Sequence, residues 1–266
     1  MFQPLYVAAT GLNAFQDDML SMTNNLANAK TVAYKKSRSE MESLFYIPKS
    51  FKDELAGAMG ESQEMQSVNP EFGTGVRVAA TPKDFTQGAM ESTGNALDVA
   101  IQGQGFFKIK MPDGTIAYSR AGNFHADNEG NLADPNGHLL ADNIVLPAGV
   151  SNVVIQQDGT VLATVGNDLT YNSVGQIGLA KFGNPSGLRS LGQNLFTETE
   201  SSGPAQEGNA ADEGFGVVNQ YTLEASNVDV ISEMMRMVII QRVFDTLTKA
   251  VSSYEGMLTK LENMKA

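Results

Sequence analysis

The chain has 266 residues, 42% of them hydrophobic and 18% charged, with a formal net charge of −12. Such a composition supports globular folding in roughly one to three packed units and excludes a wholly disordered chain. The negative charge argues against nucleic acid or an anionic membrane surface as a partner, and the absence of cysteine removes disulfide scaffolds, thiolate metal sites and cysteine nucleophiles. The first basic residue is Lys30, and polar side chains interrupt the stretch from Gln3 to Asp18. A cleaved leader needs a basic start and an apolar run, and a spanning helix needs about 20 apolar residues, so neither is expected.

The first predicted element is a helix. Leu5, Ala8, Leu12, Phe15, Met19, Met22 and Leu26 recur in steps of three and four, a heptad stripe on one face. Gly11 weakens that helix by about 1 kcal/mol relative to alanine. After it comes a basic cluster, Lys30, Lys35, Lys36 and Arg38, read as a solvated helix end where cations favour the C-terminal dipole. Residues 46–69 follow, with Pro48, Gly57, Gly60 and a polar run from Glu61 to Ser67. This stretch is read as an extended arm or functional loop, because structureless loops of such length are uncommon inside compact domains.

From about residue 70 to 222 the period changes to two. Leu97, Val99 and Ile101 alternate with polar or small residues, as do Phe107, Ile109 and Met111 with Lys108 and Lys110. Pro112-Asp113-Gly114 marks a hairpin turn into Thr115–Arg120, and Asp158-Gly159 marks another between Val153–Gln157 and Thr160–Val165. Asp134-Pro135-Asn136-Gly137 is a further turn. The expected middle is an antiparallel, all-β domain.

The C-terminal segment returns to the helical period. Met237, Ile240, Phe244, Leu247, Val251, Tyr254, Leu258 and Leu261 form a second stripe, and Ser226 with Asp229 has the form of a capping box. A helix from about 228 to 264 would be roughly 55 Å long. The fold class is therefore α+β: terminal helices forming a coiled-coil-like α domain, with a central all-β domain. The expected divisions are 1–45, 46–69, 70–222 and 223–266. Outside the second stripe lie Ile231, Met234, Met235, Val238 and Ile239, more apolar surface than one seam can hide. Two readings stay open: burial against further copies, or packing of the helices on the β domain.

No residue set points to catalysis, a cofactor or a metal. His125 and His138 have no second histidine at ligand spacing. Counting an EF-hand from Asp127 puts Gly130 at the wrong place and His138 where a bidentate glutamate belongs. Gly103-Gln104-Gly105 lacks the third glycine of a dinucleotide fingerprint and runs on as a strand, so it reads as a bend. No Walker A loop, nucleophile elbow or H-E-x-x-H is present.

Three blocks together resemble the flagellar basal-body rod protein family. They are Asn24-Asn25-Leu26-Ala27-Asn28 with Thr31, Tyr34 and Lys35; Leu97–Ile101 with Gly103, Gly105, Phe106, Phe107, Tyr118, Arg120, Gly122 and Phe124; and Glu224-Ala225-Ser226-Asn227-Val228 with Gln241-Arg242 and Lys249-Ala250-Val251. They occur in the family's order and span nearly the whole chain. Gly73–Arg77 and the stretch from Gly175 through Asn194-Leu195-Phe196 to Glu200 are most similar to the distal-rod branch. Two departures stand out. Ala33 takes a place where the family usually has glycine, which makes a positive φ costly and is expected to bend the junction differently, and Val243 stands in place of alanine.

The resemblance implies a structural, non-enzymatic subunit of the bacterial flagellar distal rod. It would be exported through the flagellar type III apparatus without a cleaved signal and polymerise helically in the periplasm to carry torque. The implied partners are further copies, other rod proteins, the hook protein and the P and L ring proteins. The residues expected to carry assembly or the family motif are Leu5, Leu12, Phe15, Met19, Asn24, Asn25, Leu26, Asn28, Ser226, Asn227, Val228, Phe244, Val251, Leu258 and Leu261. The alternatives are a proximal rod or hook subunit, or a secreted β-rich enzyme with helical tails.

Overall fold

The computed structural model describes residues 3–48, 71–166 and 170–265. The fold is α+β, with a helix at each end and a mostly β middle. It divides into two compact units, each assembled from separated stretches of chain.

The first unit takes residues 1–24, 38–81 and 231–266. Helix α1 spans Gln3–Ala27, with Pro4 in its first turn where a missing N–H does no harm. Helix α2 spans Val230–Lys265 and carries Glu233 in its first turn, where a carboxylate suits the helix dipole. Between them in sequence, β1 (Glu40–Ser43) pairs antiparallel with β4 (Val76–Ala80), and β2 (Tyr46–Pro48) pairs with β3 (Glu71–Gly73). The expected arm over 46–69 thus has its first residues in β2. The rest of it lies outside the described residues.

The second unit takes residues 25–37 and 82–230. Its strands are β5 (Met90–Ser92), β6 (Val99–Gln102), β7 (Phe106–Lys110), β8 (Ile116–Ser119), β9 (His125–Ala126), β10 (Leu132–Ala133), β11 (Leu139–Leu140), β12 (Val150–Ile155), β13 (Thr160–Val165), β14 (Asn172–Gln176), β15 (Gly178–Lys181), β16 (Arg189–Gly192), β17 (Leu195–Thr197), β18 (Gln206–Asn209), β19 (Val217–Gln220) and β20 (Thr222–Glu224). The largest sheet runs β16-β17-β8-β7-β11-β10-β9, with β15 joining β7 to β18. A three-stranded sheet β12-β13-β14 and the pairs β19-β6 and β20-β5 complete it.

The expected hairpins form where the turn residues stand. Lys110 pairs with Ile116 across Pro112-Asp113-Gly114, and Ile155 pairs with Val161 across Asp158-Gly159. Gly159 sits at φ 83° with the Ile177 carbonyl too close to admit a Cβ. Gly103 and Gly105, at φ 110° and 145°, make the expected bend from β6 into β7. The period-two reading places Phe107 and Ile109 in the core at 0% exposure. Val99, Ile101, Val161, Ile177, Leu179 and Val218 pack in the same cluster. A second, aromatic cluster holds Phe106, Tyr118, Phe182 and Phe196 in edge-to-face contacts.

Candidate functional site

Two sets of residues stand out, one in each unit. In the helical unit the heptad stripe is visible as partial burial. Leu5, Leu12, Phe15, Met19, Phe244, Val251 and Leu258 are all half-buried, while Ala14, Met22 and Ile240 are fully buried. The side chain of Leu261 lies outside the described residues. A Cβ on Gly11 would sit 3.7 Å from Leu247 Cδ1, so the helices pass close there. Further along, Arg236 Nη2 donates to both carboxylate oxygens of the buried Asp18 at 3.3 Å. Residue numbers rise on α1 as they fall on α2, so the helices run antiparallel.

The other face of α2 is largely exposed among the described residues. Ile231, Met234, Met235, Val238 and Ile239 follow helical spacing on one side and are 48–70% exposed. Contiguous apolar surface of this kind, on a helix whose opposite stripe is already engaged, marks an interaction surface.

In the β unit, the two segments that continue toward the helices meet in a buried polar node. The N-terminal segment is a connector, residues 25–37, made of the last residues of α1 and the successive turns that follow it. Asn25 closes it: Oδ1 accepts from the Ser37 N–H at 2.9 Å and from the Tyr34 hydroxyl at 3.2 Å, while Nδ2 donates to the Ser37 carbonyl at 2.8 Å. Asn227 does the same from the other end of the chain. Its Oδ1 accepts from the Lys36 N–H at 2.8 Å, and its Nδ2 donates to the Asp84 carbonyl at 2.8 Å and the Thr86 carbonyl at 3.1 Å. An asparagine side chain carries a donor and an acceptor together, so it can stand in for a missing strand partner.

Between these amides lies a charge cluster. Lys35 Nζ is 2.5 Å from Glu224 Oε1, both side chains at 0% exposure, and donates also to the Thr86 carbonyl at 2.7 Å. Glu224 Oε1 accepts from the Gly88 N–H at 2.9 Å, and Oε2 is 3.6 Å from Arg120 Nη1. The Arg120 guanidinium lies over the Phe106 ring at 5.2 Å. Burial pushes the Lys35 ammonium below its ordinary range, against the opposing pull of Glu224, and burial lowers Arg120 likewise. One buried carboxylate therefore serves two buried cations.

The basic cluster is not the solvated helix end the sequence suggested. Lys35 is buried and paired, Lys36 is 3.5 Å from Asp84, and only Lys30 and Arg38 are exposed. The physical reason is that α1 ends at Ala27, so Lys35 belongs to the connector and not to the helix terminus. Ala33, inside that connector, adopts φ 55° and donates its N–H to the Glu224 carbonyl at 2.7 Å. The chain takes the left-handed conformation that glycine would adopt without strain.

The remaining motif residues have smaller parts. Asn28 accepts from the Thr31 hydroxyl at 3.1 Å, and Ser226 Oγ accepts from the Val228 N–H at 3.3 Å, closing a turn four residues before α2 begins. The sequence therefore marked a local turn where a helix cap was expected. Leu26 and Val228 are half-buried and Asn24 is exposed. Most of the fifteen expected residues thus fall into two sets, the stripes of the helical unit and the connector and node of the β unit, while Asn24 lies in neither and the side chain of Leu261 is outside the described residues. Lys35, Glu224 and Arg120, the charged centre of the node, were not among them, although all three stand inside the blocks that carry the resemblance.

The acidic turns are closed by local hydrogen bonds. Asp127 Oδ1 accepts from the Glu129 and Asn131 N–H groups at 2.8 Å, and Asp134 Oδ1 accepts from Asn136 and His138 at 2.9 and 2.8 Å. His138 Nδ1 lies 3.0 Å from Asp134 Oδ2.

Comparison with known proteins gives a consistent result. The profile of the flagellar hook protein FlgE/F/G D1 domain matches residues 100–163, and that of the flagellar basal body rod FlgEFG protein C-terminal region matches residues 219–264. The flagellar basal-body rod protein FlgG of Borreliella burgdorferi is 36% identical over 267 aligned residues, covering 100% of this chain and 99% of the relative. FlgG of Agrobacterium fabrum is 37% identical over 256, covering 95% of each. The flagellar hook protein FlgE of Escherichia coli is 23% identical over 420, covering 97% of this chain and 99% of the relative.

Proposed function

We propose that this chain, which belongs to the flagellar basal-body rod protein family and is a structural subunit of the rod, polymerises into the distal drive shaft that passes torque to the hook. The observation that carries the reading is the exposed stripe Met234, Met235, Val238 and Ile239 on α2. Apolar surface of this kind, exposed among the described residues, fits burial against further copies. In this reading α1 and α2 of many subunits associate in a coiled-coil-like inner layer, with Leu5, Leu12, Phe15, Met19, Leu26, Phe244, Val251, Leu258 and Leu261 at the contacts. Repeated head-to-tail contacts that do not close into a ring generate a helical filament. The β unit forms an outer layer, and the arm over 46–69 braces neighbours.

The partners in this proposal are copies of the chain, other rod proteins, the hook protein and the P and L ring proteins. The subunit works in the basal body across the periplasm, is exported without a cleaved leader, and catalyses nothing. The much higher identity to rod proteins than to the hook protein favours the rod over the hook. Electron microscopy of basal bodies from a strain deleted for the gene tests this. Basal bodies lacking the distal rod, hook and filament are expected, and complete ones would reject the assignment.

A further inference from the structure

The connector in the β unit is ordered by residues far along the chain. Lys35 and Glu224 are 189 positions apart, and Lys36 and Asn227 are 191 apart. Two of its backbone links also reach the C-terminal segment: the Ala33 N–H donates to the Glu224 carbonyl at 2.7 Å, and the Asn227 N–H donates to the Tyr34 carbonyl at 3.3 Å. The connector contributes no strand to any sheet beyond a single bridge, Ser37 with Lys83. Other ties reach residues 83–86 and 194: Lys35 Nζ to the Thr86 carbonyl, Lys36 to Asp84, Lys83 Nζ to the Lys35 carbonyl and Ser37 Oγ and over the Tyr34 ring, the Asp84 N–H to the Lys36 carbonyl, and Asn194 Nδ2 to the Val32 carbonyl.

Two features make this arrangement more than ordinary packing. Ala33 is 1% exposed and held at φ 55°, a conformation that alanine leaves when nothing enforces it. Lys35 and Arg120 are 1% and 5% exposed and share Glu224 as the carboxylate in direct contact with both, so without it two buried cations lose their paired charge.

We propose that Glu224 is the pin of a two-part latch: it holds the connector, residues 25–37, in a strained shape, and the connector and the segment 224–227 lock or release together while the β core stays folded. Because the connector comes early in the chain and its pin comes late, the connector locks only once the C-terminal segment has docked. The latch belongs to the free subunit and does not depend on polymerisation.

Site-resolved hydrogen exchange on the full chain tests it. In Glu224→Gln, the amides of Ala33, Lys36 and Ser37 are expected to exchange at least about tenfold faster, while those of Ile109 and Val161 keep their protection. Adding Ala33→Gly is expected to recover about fivefold of the connector's protection, because glycine removes the strain the pin has to hold. An equal rise in core and connector would overturn the proposal, since the pair would then support the whole unit. So would no rise in the connector. Should Glu224→Gln fail to fold, Asn227→Ala decides, because it leaves the buried charges intact. Faster exchange at Ala33, which Asn227 does not touch, is expected, and an unchanged Ala33 amide would overturn the coupling.

Discussion

The two units answer differently to the same question of where their apolar surface goes. The β unit encloses its own: a contiguous cluster from Val99 to Val218, with a second aromatic cluster beside it. In the helical unit the fully buried apolar side chains among the described residues are Ala14, Met22 and Ile240, while Ile231, Met234, Met235, Val238 and Ile239 are about half exposed or more. One unit encloses its apolar side chains by folding. Among the described residues the other leaves one face of its 36-residue helix exposed, because α1 covers only the opposite face.

Breaking the helical side should show the largest effect. Leu258→Asp places a charge on the half-buried stripe and is expected to abolish motility while leaving the thermal midpoint of the β unit unchanged. A motile strain carrying it would count strongly against assembly through this stripe. The reverse experiment breaks the β side. Phe107 is fully buried and meets the Phe124 ring edge-to-face at 5.2 Å, so Phe107→Ala should lower the denaturant stability of that unit by about 3–5 kcal/mol. Met235→Ala, at an exposed site of the helical unit, should change the stability of its own unit by less than about 0.5 kcal/mol.

Smaller changes of opposite chemistry sharpen the contrast. Ala33→Gly should stabilise the β unit by about 1 kcal/mol, since the native φ of 55° suits glycine, even after the added freedom of the unfolded chain. Gly11→Ala should stabilise the helical unit by about 1 kcal/mol, since the new methyl finds ordinary contact with Leu247 at 3.7 Å. Thermal melts of each single variant read both, and destabilisation by either would contradict the geometry assigned to that site.

Acid should act on the turns of the β unit. Asp134 is held below its ordinary 3.8: burial opposes this, but hydrogen bonds from His138 and Asn136 outweigh it. Asp127 is lowered chiefly by its hydrogen bond from Asn131. A carboxylate with a depressed folded value adds stability that is present above 3.8 and lost as pH falls through the depressed value. Acid melts should therefore weaken the β unit in that window, and Asp134→Asn should reduce the dependence. An unchanged acid profile in that variant would remove Asp134 from the account.

Sequence alone determined what depends on neighbours within a few residues. The heptad steps placed both helices, period two placed Phe107 and Ile109 in the core, and Asp-Gly and Pro-Asp-Gly placed the hairpins, because side-chain period and turn chemistry are local properties of the backbone. The same local reading misplaced Lys35, since four basic residues after a helix look alike until something buries one of them. Only the tertiary structure decided that Lys35 would meet Glu224 across 189 positions, that Arg120 would share the carboxylate, and that Ala33 would be held left-handed beside them. The fate of a buried charge is set by the partner that folding brings to it, and no local period records that partner.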